Sequence, residues 1–496
     1  MPDRPTALIT ELEVRRLLSG SGLCINEPWE LHTDLPVLEA AAATTTLSTP
    51  TAKPAAVFPL TAIPALSSRP GAPAKLYLDF NGDSTAAWGS YRPGTTPAYD
   101  IDGNATTFSD AEIARVREIW ARVSEKYSPF NVNVTTVDPG ALADRVAIKI
   151  VIGGTGPWLG AKAGGITYTG SFTNGAPNVG FVFSGNLAGG AAQGTAEATA
   201  HEAGHAFGLS HQAKWSGSTL VEAYSTGTAV IAPIMGNSYS AQRGVWWAGP
   251  VGSSSTSYQD DLAILSGATN GFGYRADDYG NAPAAASALA LSGTTVTPRS
   301  GVIERTGDTD VFRFTTGAGA VRFTAAVAAA GPMLDARLTL TTAAGAVLAT
   351  ANTAALGETL SATVPAGTYY IAVAGKGAYG DLGTYTLSGT VVAPTITTPP
   401  PPATGVPTAP ANLTGYKLTA TSVRLQWTDR ATNETGVKVY RSANNGLTWS
   451  LFGTTGVNST GVTVSGLLTG TTYLFKVRAT NAAGDSPDSN VFSIKV

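Results

Sequence analysis

The sequence is short of cysteine, of histidine and of charge, and each shortage closes off an explanation. One cysteine, Cys24, among 496 residues excludes an internal disulfide framework. Charged residues make up 13% of the chain, 31 basic against 34 acidic, with a formal net charge of -3. No long run of either sign occurs, so neither nucleic acid nor an anionic lipid surface is an expected partner. No stretch approaches the roughly 18 consecutive apolar residues of a membrane-spanning helix, and no membrane span is expected. The opening MPDRPTALITELEVRRLLSG also lacks the apolar core of an ordinary secretory signal. With 43% hydrophobic residues over this length, the chain exceeds a single core, and several domains are expected.

What is present divides the chain. Residues 1–72 read as an export- or propeptide-like and linker segment, largely disordered, because residues 39–73 are almost wholly Ala, Thr, Pro and Ser. Within it, LEVRRLLS at 12–19 resembles an element near the N-terminus of many exported proteins of certain bacteria, which implies a secreted or cell-surface location. Its plainer reading is an amphipathic helical turn. Residues 73–272 read as α+β. KLYLDF from Lys75, NVNVTTV and AIKIVIGG form strands, DAEIARVREIWARVSEKY forms a helix behind a Ser109 cap, and GFVFSGNL from Gly180 alternates like an edge strand.

Residues 273–393 carry short alternating runs between Gly, Asp and Pro turns, the pattern of a β-sandwich. In DDYGNA, GDTDVFRF, AGTYYIAVAGKG and GTYTLSG this stretch resembles the bacterial pre-peptidase C-terminal domain. A Pro/Thr-rich linker at 394–408 should be extended. Residues 409–496 form a second all-β block that resembles a fibronectin type III domain. Trp427 in SVRLQW and Tyr473 in LLTGTTYLFKVRATNAAG fill that family's core-tryptophan and tyrosine-corner positions. The expected fold class is therefore multi-domain, an α+β domain followed by two all-β sandwiches.

Residues 201–211 read HEAGHAFGLSH, and three of the chain's 4 histidines fall in this run. Positions four apart lie on one face of a helix, so His201 and His205 can aim at one ion. Gly208 can adopt the left-handed conformation that ends the helix and swings His211 back as a third ligand. Three neutral imidazoles on zinc leave a fourth position for water, whose pKa falls to about 7. Glu202, beside His201, is placed to act as general base.

This run, H-E-x-x-H-x-x-G-x-x-H, resembles the metzincin clan of zinc metallopeptidases, and the region sits closest to bacterial reprolysin- or matrixin-like enzymes. Downstream, APIMG carries Met235 in what looks like the clan's Met-turn, with a C-terminal helix at DDLAILSG. The resemblance implies a metzincin-like catalytic domain over 73–272. One departure stands out: where clan members carry a tyrosine two residues after the Met, this chain has Asn237, and Tyr239 lies two positions further on. Tyr239 is either an oxyanion partner or a packing residue.

Weaker signals complete the reading. Glu222 is an alternative third ligand of the gluzincin kind. Cys24 in SGLCINEP is either a propeptide switch thiol or incidental. DIDGNATTFSD starts like an EF-hand loop but has Ala105 and Ala111 where Gly and Glu belong. Asp277, Asp278, Asp308 and Asp310 are candidate calcium ligands or simple turn residues, and Asp260 reads as a helix cap. The expected activity is a zinc-dependent endopeptidase acting on protein or peptide substrate. Calcium is a second candidate cofactor, and the C-terminal β-modules would attach the enzyme to a surface or polymer. The alternative is an inactive adhesion or scaffold protein that works through those modules.

Overall fold

The computed structural model describes residues 31–33, 56–393 and 405–496. Cys24, the export-like residues 12–19 and the Pro-rich stretch 394–404 lie outside the described residues. The chain is multi-domain and mostly β, and it separates into two compact units, residues 1–394 and 395–496.

The first unit begins with a six-stranded sheet made of β1 (Leu31–Thr33), β2 (Ala74–Asp79), β3 (Val132–Thr135), β4 (Ala147–Ile152), β5 (Gly165–Tyr168) and β6 (Val179–Val182). Their order is β1-β5-β6-β4-β2-β3. The strands β3, β2, β4 and β6 run parallel, while β5 runs antiparallel to β6. Parallel strands are covered on both faces, which is why AKLYLD and AIKIVI are nearly continuous buried runs.

Helix α1 (Asp110–Tyr127) packs on one face of this sheet. A capping box, Ser109 with Glu112, satisfies its first N–H groups, and Val116, Ile119, Val123 and Tyr127 recur at helical spacing on its buried side. Helix α2 (Ala192–Ala206) lies against α1 and is buried along nearly its whole length. Its sequence, AQGTAEATAHEAGHA, is mostly small residues, so its backbone can approach both neighbours closely.

Two expectations need correction. The stretch from Gly180 is not the sheet edge, because β6 is paired on both sides, to β4 and to β5. The sheet edge on that side is β1, which pairs with β5 in antiparallel register, Leu31 opposite Tyr168 and Thr33 opposite Ile166. Alternation alone does not distinguish an edge strand from its inner neighbour. Residues 56–72 are likewise no loose linker. Val57–Pro59 pairs with Thr107–Ser109, Ser68 and Arg69 donate to Val134 O and Asn133 Oδ1, and Phe58, Leu60 and Ile63 pack on the core. Ala/Pro/Thr richness hid the apolar side chains and the polar groups that finish the outer side of β3.

Residues 287–390 form two five-stranded sheets packed face to face, with Phe312, Phe314, Leu338, Ile371 and Val373 from one meeting Phe323, Leu360, Tyr385 and Leu387 from the other. One continuous apolar cluster runs from the α/β body into this sandwich. Polar groups are shared as well. Lys126, at the end of α1, is fully buried and donates to Gly244 O and Gly331 O while pairing with Glu197 of α2 at 3.1 Å. Arg243 pairs with Asp381 and donates to Met333 O, and Glu125 accepts from the backbone N–H and hydroxyl of Thr384.

The second unit has its own core around Leu425, Trp427, Val437, Val439, Phe475 and Val477. Its Tyr473 hydroxyl accepts the Leu468 N–H at 3.2 Å.

Replacing Lys126 by Met would strand the Glu197 carboxylate in the interior. The expected cost is about 3–5 kcal/mol, read as a lower urea midpoint for the first unit. A change below about 1 kcal/mol would show that the ion pair does not hold these elements together.

Candidate metal centre

Helix α2 delivers His201, Glu202 and His205 from consecutive turns, all almost wholly buried. His201 Nδ1 lies 2.7 Å from Ile234 O, and His205 Nδ1 lies 2.7 Å from Leu209 O. A carbonyl oxygen only accepts, so in both rings Nδ1 carries the proton and Nε2 presents its lone pair. Each ring is thereby held in one tautomer and one orientation, as ligand imidazoles require.

Gly208 breaks the helix at φ +97°, and a Cβ there would meet nothing nearer than Ile264 Cγ2 at 3.8 Å. Conformation, not space, is therefore the reason for glycine at this position. The turn brings His211 back, with its Nε2 2.9 Å from that of His205. Ligating atoms of His201, His205 and His211 lie within 4.8 Å of one another. The donor set suits zinc: three imidazole nitrogens, two in the required tautomer, on a buried helix and the loop that follows it.

Met235 is fully buried, and a Cβ on Gly204 would meet its sulfur at 2.5 Å. The thioether thus lies against the turn of α2 between the two helix histidines. Its segment is tied to the ligands on both sides, through Ile234 O to His201 and through the Gln212 N–H donating to Met235 O at 2.8 Å.

Glu202 faces the sheet. A Cβ on Gly165, in β5, would come within 2.5 Å of its Oε1, so glycine at that position makes room for the carboxylate. Ile166 and Tyr168 of the same strand point the other way, into an aromatic cluster with Trp88 and Phe181. Tyr239 is buried beside this region, and burial first, then the charges of Glu202, Glu197 and Tyr224, holds its hydroxyl well above the ordinary phenol range. It remains a neutral phenol at neutral pH. Sequence reasoning missed Tyr224, whose ring packs on His211 with centroids 4.3 Å apart. It sits in the irregular stretch after the helix, where no periodicity marks a facing residue.

Glu222 does not join the histidines. It lies on a two-stranded ribbon, and the Thr226 N–H first, then the Lys214 ammonium at 2.9 Å and the Thr226 hydroxyl, pull its carboxyl down to about 2. Near the EF-like run, Asp100 Oδ1 receives the N–H groups of Asp102, Gly103 and Asn104, and Glu112 Oε1 receives that of Ile101. These bonds make the EF-like run a polar turn, and they leave ligating atoms of Asp100, Asp102 and Glu112 within 4.8 Å of one another. Asp260 does cap a helix, α3 (Asp261–Leu265), through Ala263 N–H.

The acidic residues of the sandwich do converge, and Glu304, which the sequence did not flag, joins them. Ligating atoms of Asp277, Asp278 and Glu304, and likewise of Asp277, Asp308 and Asp310, lie within 4.8 Å of one another. Burial, with Asp308 and Asp278 nearby, pushes the Glu304 carboxyl up to about 9. Burial also raises Asp310 to about 8, against the opposing hydrogen bond from Tyr385. Asp310 is 0% exposed, and its Oδ1 has no hydrogen-bond partner among the described residues.

Comparison with known proteins bears on the second unit. Residues 408–495 match the fibronectin type III domain. Chitinase A1 of Niallia circulans is 40% identical over 104 residues, 20% of this chain and 14% of that protein. Chitinase Chi52 of Paenibacillus xylanexedens is 40% identical over 86 residues, 17% of this chain and 15% of that one. The chain thus spans about one seventh of the length of these curated relatives. Among solved structures, the FN3 domain of human collagen XX matches at 21% identity, covering 20% of this chain and 99% of that one with a TM-score of 0.17. An Fn3-like protein from Clostridium thermocellum matches at 24% identity, covering 18% and 94%, also with a TM-score of 0.17. In this fibronectin type III domain the core tryptophan is Trp427, and the Tyr473 hydroxyl makes the corner bond to Leu468.

Gly208→Ala should cost about 1–2 kcal/mol, because the left-handed turn is kept against its Cβ, and it should loosen metal retention against a chelator. A variant as stable as the parent would show that the break does not need glycine.

Proposed function

We propose that the chain is a zinc-dependent endopeptidase of the metzincin type, acting on extracellular protein substrates, with His201, His205 and His211 as ligands and Glu202 as general base. The observation that carries this reading is the meeting of three imidazoles, two of them held in the ligand tautomer by Ile234 O and Leu209 O. Zinc, when bound, supplies Lewis acidity that polarises a carbonyl and acidifies a water toward neutral pKa. Glu202 accepts the proton of the attacking water and returns it to the departing amine. Its carboxylate is pressed against β5, beside the strand along which an extended peptide can pair through backbone hydrogen bonds. Met235 under Gly204 and the chain reversal at Gly208 support the same reading. Tyr224 packs on His211, and the buried hydroxyl of Tyr239 lies close enough to Glu202 to feel its charge.

The outer side of β5 is where β1 pairs. A substrate strand adding there competes with Leu31–Thr33, so a protein beginning at residue 56 should cleave an unfolded substrate such as casein several-fold faster. An equal or slower rate would show that β1 does not occupy the substrate position.

Glu202→Gln is expected to lower casein cleavage by about 100-fold or more while stoichiometric zinc is retained. Undiminished cleavage would remove Glu202 from the mechanism. A wild-type protein that binds zinc and cuts nothing in either N-terminal form would leave the surface adhesion or scaffold reading. For the fibronectin type III domain we propose attachment to a polymer or surface, as its likeness to segments of two chitinases suggests.

We propose calcium as the ion of the acidic cluster in the sandwich, because Asp310 carries an unpartnered carboxylate oxygen and its ligating atoms lie within 4.8 Å of those of Asp277 and Asp308, and Asp277 also meets Asp278 and Glu304. Carboxyls raised to about 8 and 9 keep protons in the fold that the unfolded chain releases near pH 4. Without a cation, stability therefore falls as pH rises from about 4 to 9, and a cation replaces the lost protons. Calcium should raise the unfolding temperature more at pH 8 than at pH 5. A gain that is equal at both, or that persists in Asp310→Asn, would count against this site.

A further inference from the structure

We propose that the sandwich is part of the metal centre: Tyr379, acting through Asp260, Asp261 and Gln259, positions the Ser210–Gln212 segment that presents His211. This inference rests on the three-histidine reading above and extends it to a tyrosine more than a hundred positions away in sequence.

His211 differs from its two partners. His201 and His205 stand on a helix, and each has a backbone carbonyl on Nδ1, whereas His211 belongs to the chain beyond the Gly208 break. Its place is set by bonds along this segment: His211 O accepts the Gly252 N–H at 3.2 Å, Tyr224 packs on its ring, and residues 210 and 212 are each held by side chains. One side chain holds both backbone groups of Ser210. Gln259 Oε1 accepts the Ser210 N–H at 2.8 Å, and Gln259 Nε2 donates to Ser210 O at 2.8 Å. On the other flank, Gln212 Nε2 donates to Asp261 Oδ1 at 2.9 Å, and Gln259 Nε2 reaches the same oxygen at 2.9 Å. The second carboxylate oxygen of Asp261 accepts the Trp247 N–H at 2.9 Å. Gln212, Gln259 and Asp261 are all buried, so each lost bond would leave a polar atom without water.

This clamp is built on the N-terminal end of α3, and that end is held from the sandwich. The Tyr379 hydroxyl donates to Asp260 Oδ1 and accepts the Leu262 N–H at 3.0 Å, bracketing Asp261 on both sides. The loop carrying Tyr379 is itself seated on the α/β body. A Cβ on Gly380 would meet Trp246 O at 2.6 Å, and the next residue, Asp381, pairs with Arg243. Hydrogen bonds from the sandwich loop thus fix the backbone on both sides of Asp261, whose carboxylate in turn bonds the side chains that hold both neighbours of His211. Tyr379, Gln259 and Asp261 are positioning residues, since none touches the metal position itself.

The test uses the full chain and two conservative variants. Tyr379→Phe removes one hydroxyl in the sandwich. Gln259→Glu keeps the shape but removes both Nε2 donations and sets a second carboxylate against Asp261. Zinc affinity is measured by competition with a chromophoric chelator, and the visible spectrum of the cobalt-substituted protein reports ligand geometry independently of cleavage. We expect Gln259→Glu to weaken zinc binding by about 10- to 100-fold, the usual effect of removing an outer partner of a ligand. Tyr379→Phe should weaken it about threefold or more, with altered cobalt absorption and a melting curve close to that of the parent. If both variants hold zinc as the parent does, while His211→Ala loses it, the positioning role is wrong and the three-histidine centre stands. A parent protein that takes up neither zinc nor cobalt overturns both readings together.

Discussion

The structure turns on a single difficulty, which is to hold three imidazoles and a carboxylate in a buried place with their ring nitrogens pointing inward. Burying polar groups costs free energy unless each finds a partner, and imidazoles must also be held in the tautomer that leaves the inward nitrogen unprotonated. Two backbone carbonyls, Ile234 O and Leu209 O, do this for the helix histidines. Much of the local architecture follows from supplying those carbonyls. Leu209 O becomes available because the helix breaks at Gly208, and Ile234 O because the segment carrying Met235 is pressed under Gly204. The small residues of α2 are a consequence of the same requirement, since larger ones would hold that segment and β5 away from the helix.

The same requirement explains why the sandwich is joined so closely to the α/β body. Lys126, Glu197 and Arg243 are buried, and each finds its partners on elements that the sequence places far apart. Buried ion pairs contribute little net stability compared with apolar packing, but they tolerate few alternative arrangements. A junction built from them, and continuous with the apolar cluster, has the character of an interior and not of a linker between independent modules. The fibronectin type III domain, by contrast, closes a separate core around Trp427 and Phe475.

The convergence of His201, His205 and His211, the break at Gly208, the Ser109 cap on α1 and the β-rich second half could all be read from residues in order, because each depends on local spacing or on one residue's backbone preference. Other features depended on partners distant in sequence. The edge was assigned to VGFV, yet both VGFV and GITY are paired on two sides, which only the pairing shows. Tyr224 and Glu304 carry no local mark, and they acquire a role only when His211 and the Asp277 turn arrive beside them. Residues 56–72 were misjudged because composition averages over the three apolar side chains that dock them.

A helix can repeat a ligand every four residues, but it cannot supply a third donor from the facing direction, so any site of this kind must rely on a loop for its last ligand. A loop is usually the most mobile part of a scaffold, whereas a metal site needs positions held within a fraction of an ångström. The conflict is resolved when the loop's own backbone groups are bonded by side chains anchored elsewhere. In this protein one glutamine amide takes both backbone groups of Ser210, and a buried aspartate gathers that glutamine and its neighbour. The anchor for that aspartate lies in the sandwich. On the proposed reading, the second domain would then contribute to the geometry of the first, across a boundary near residue 273 where the chain topology changes but the packed interior continues.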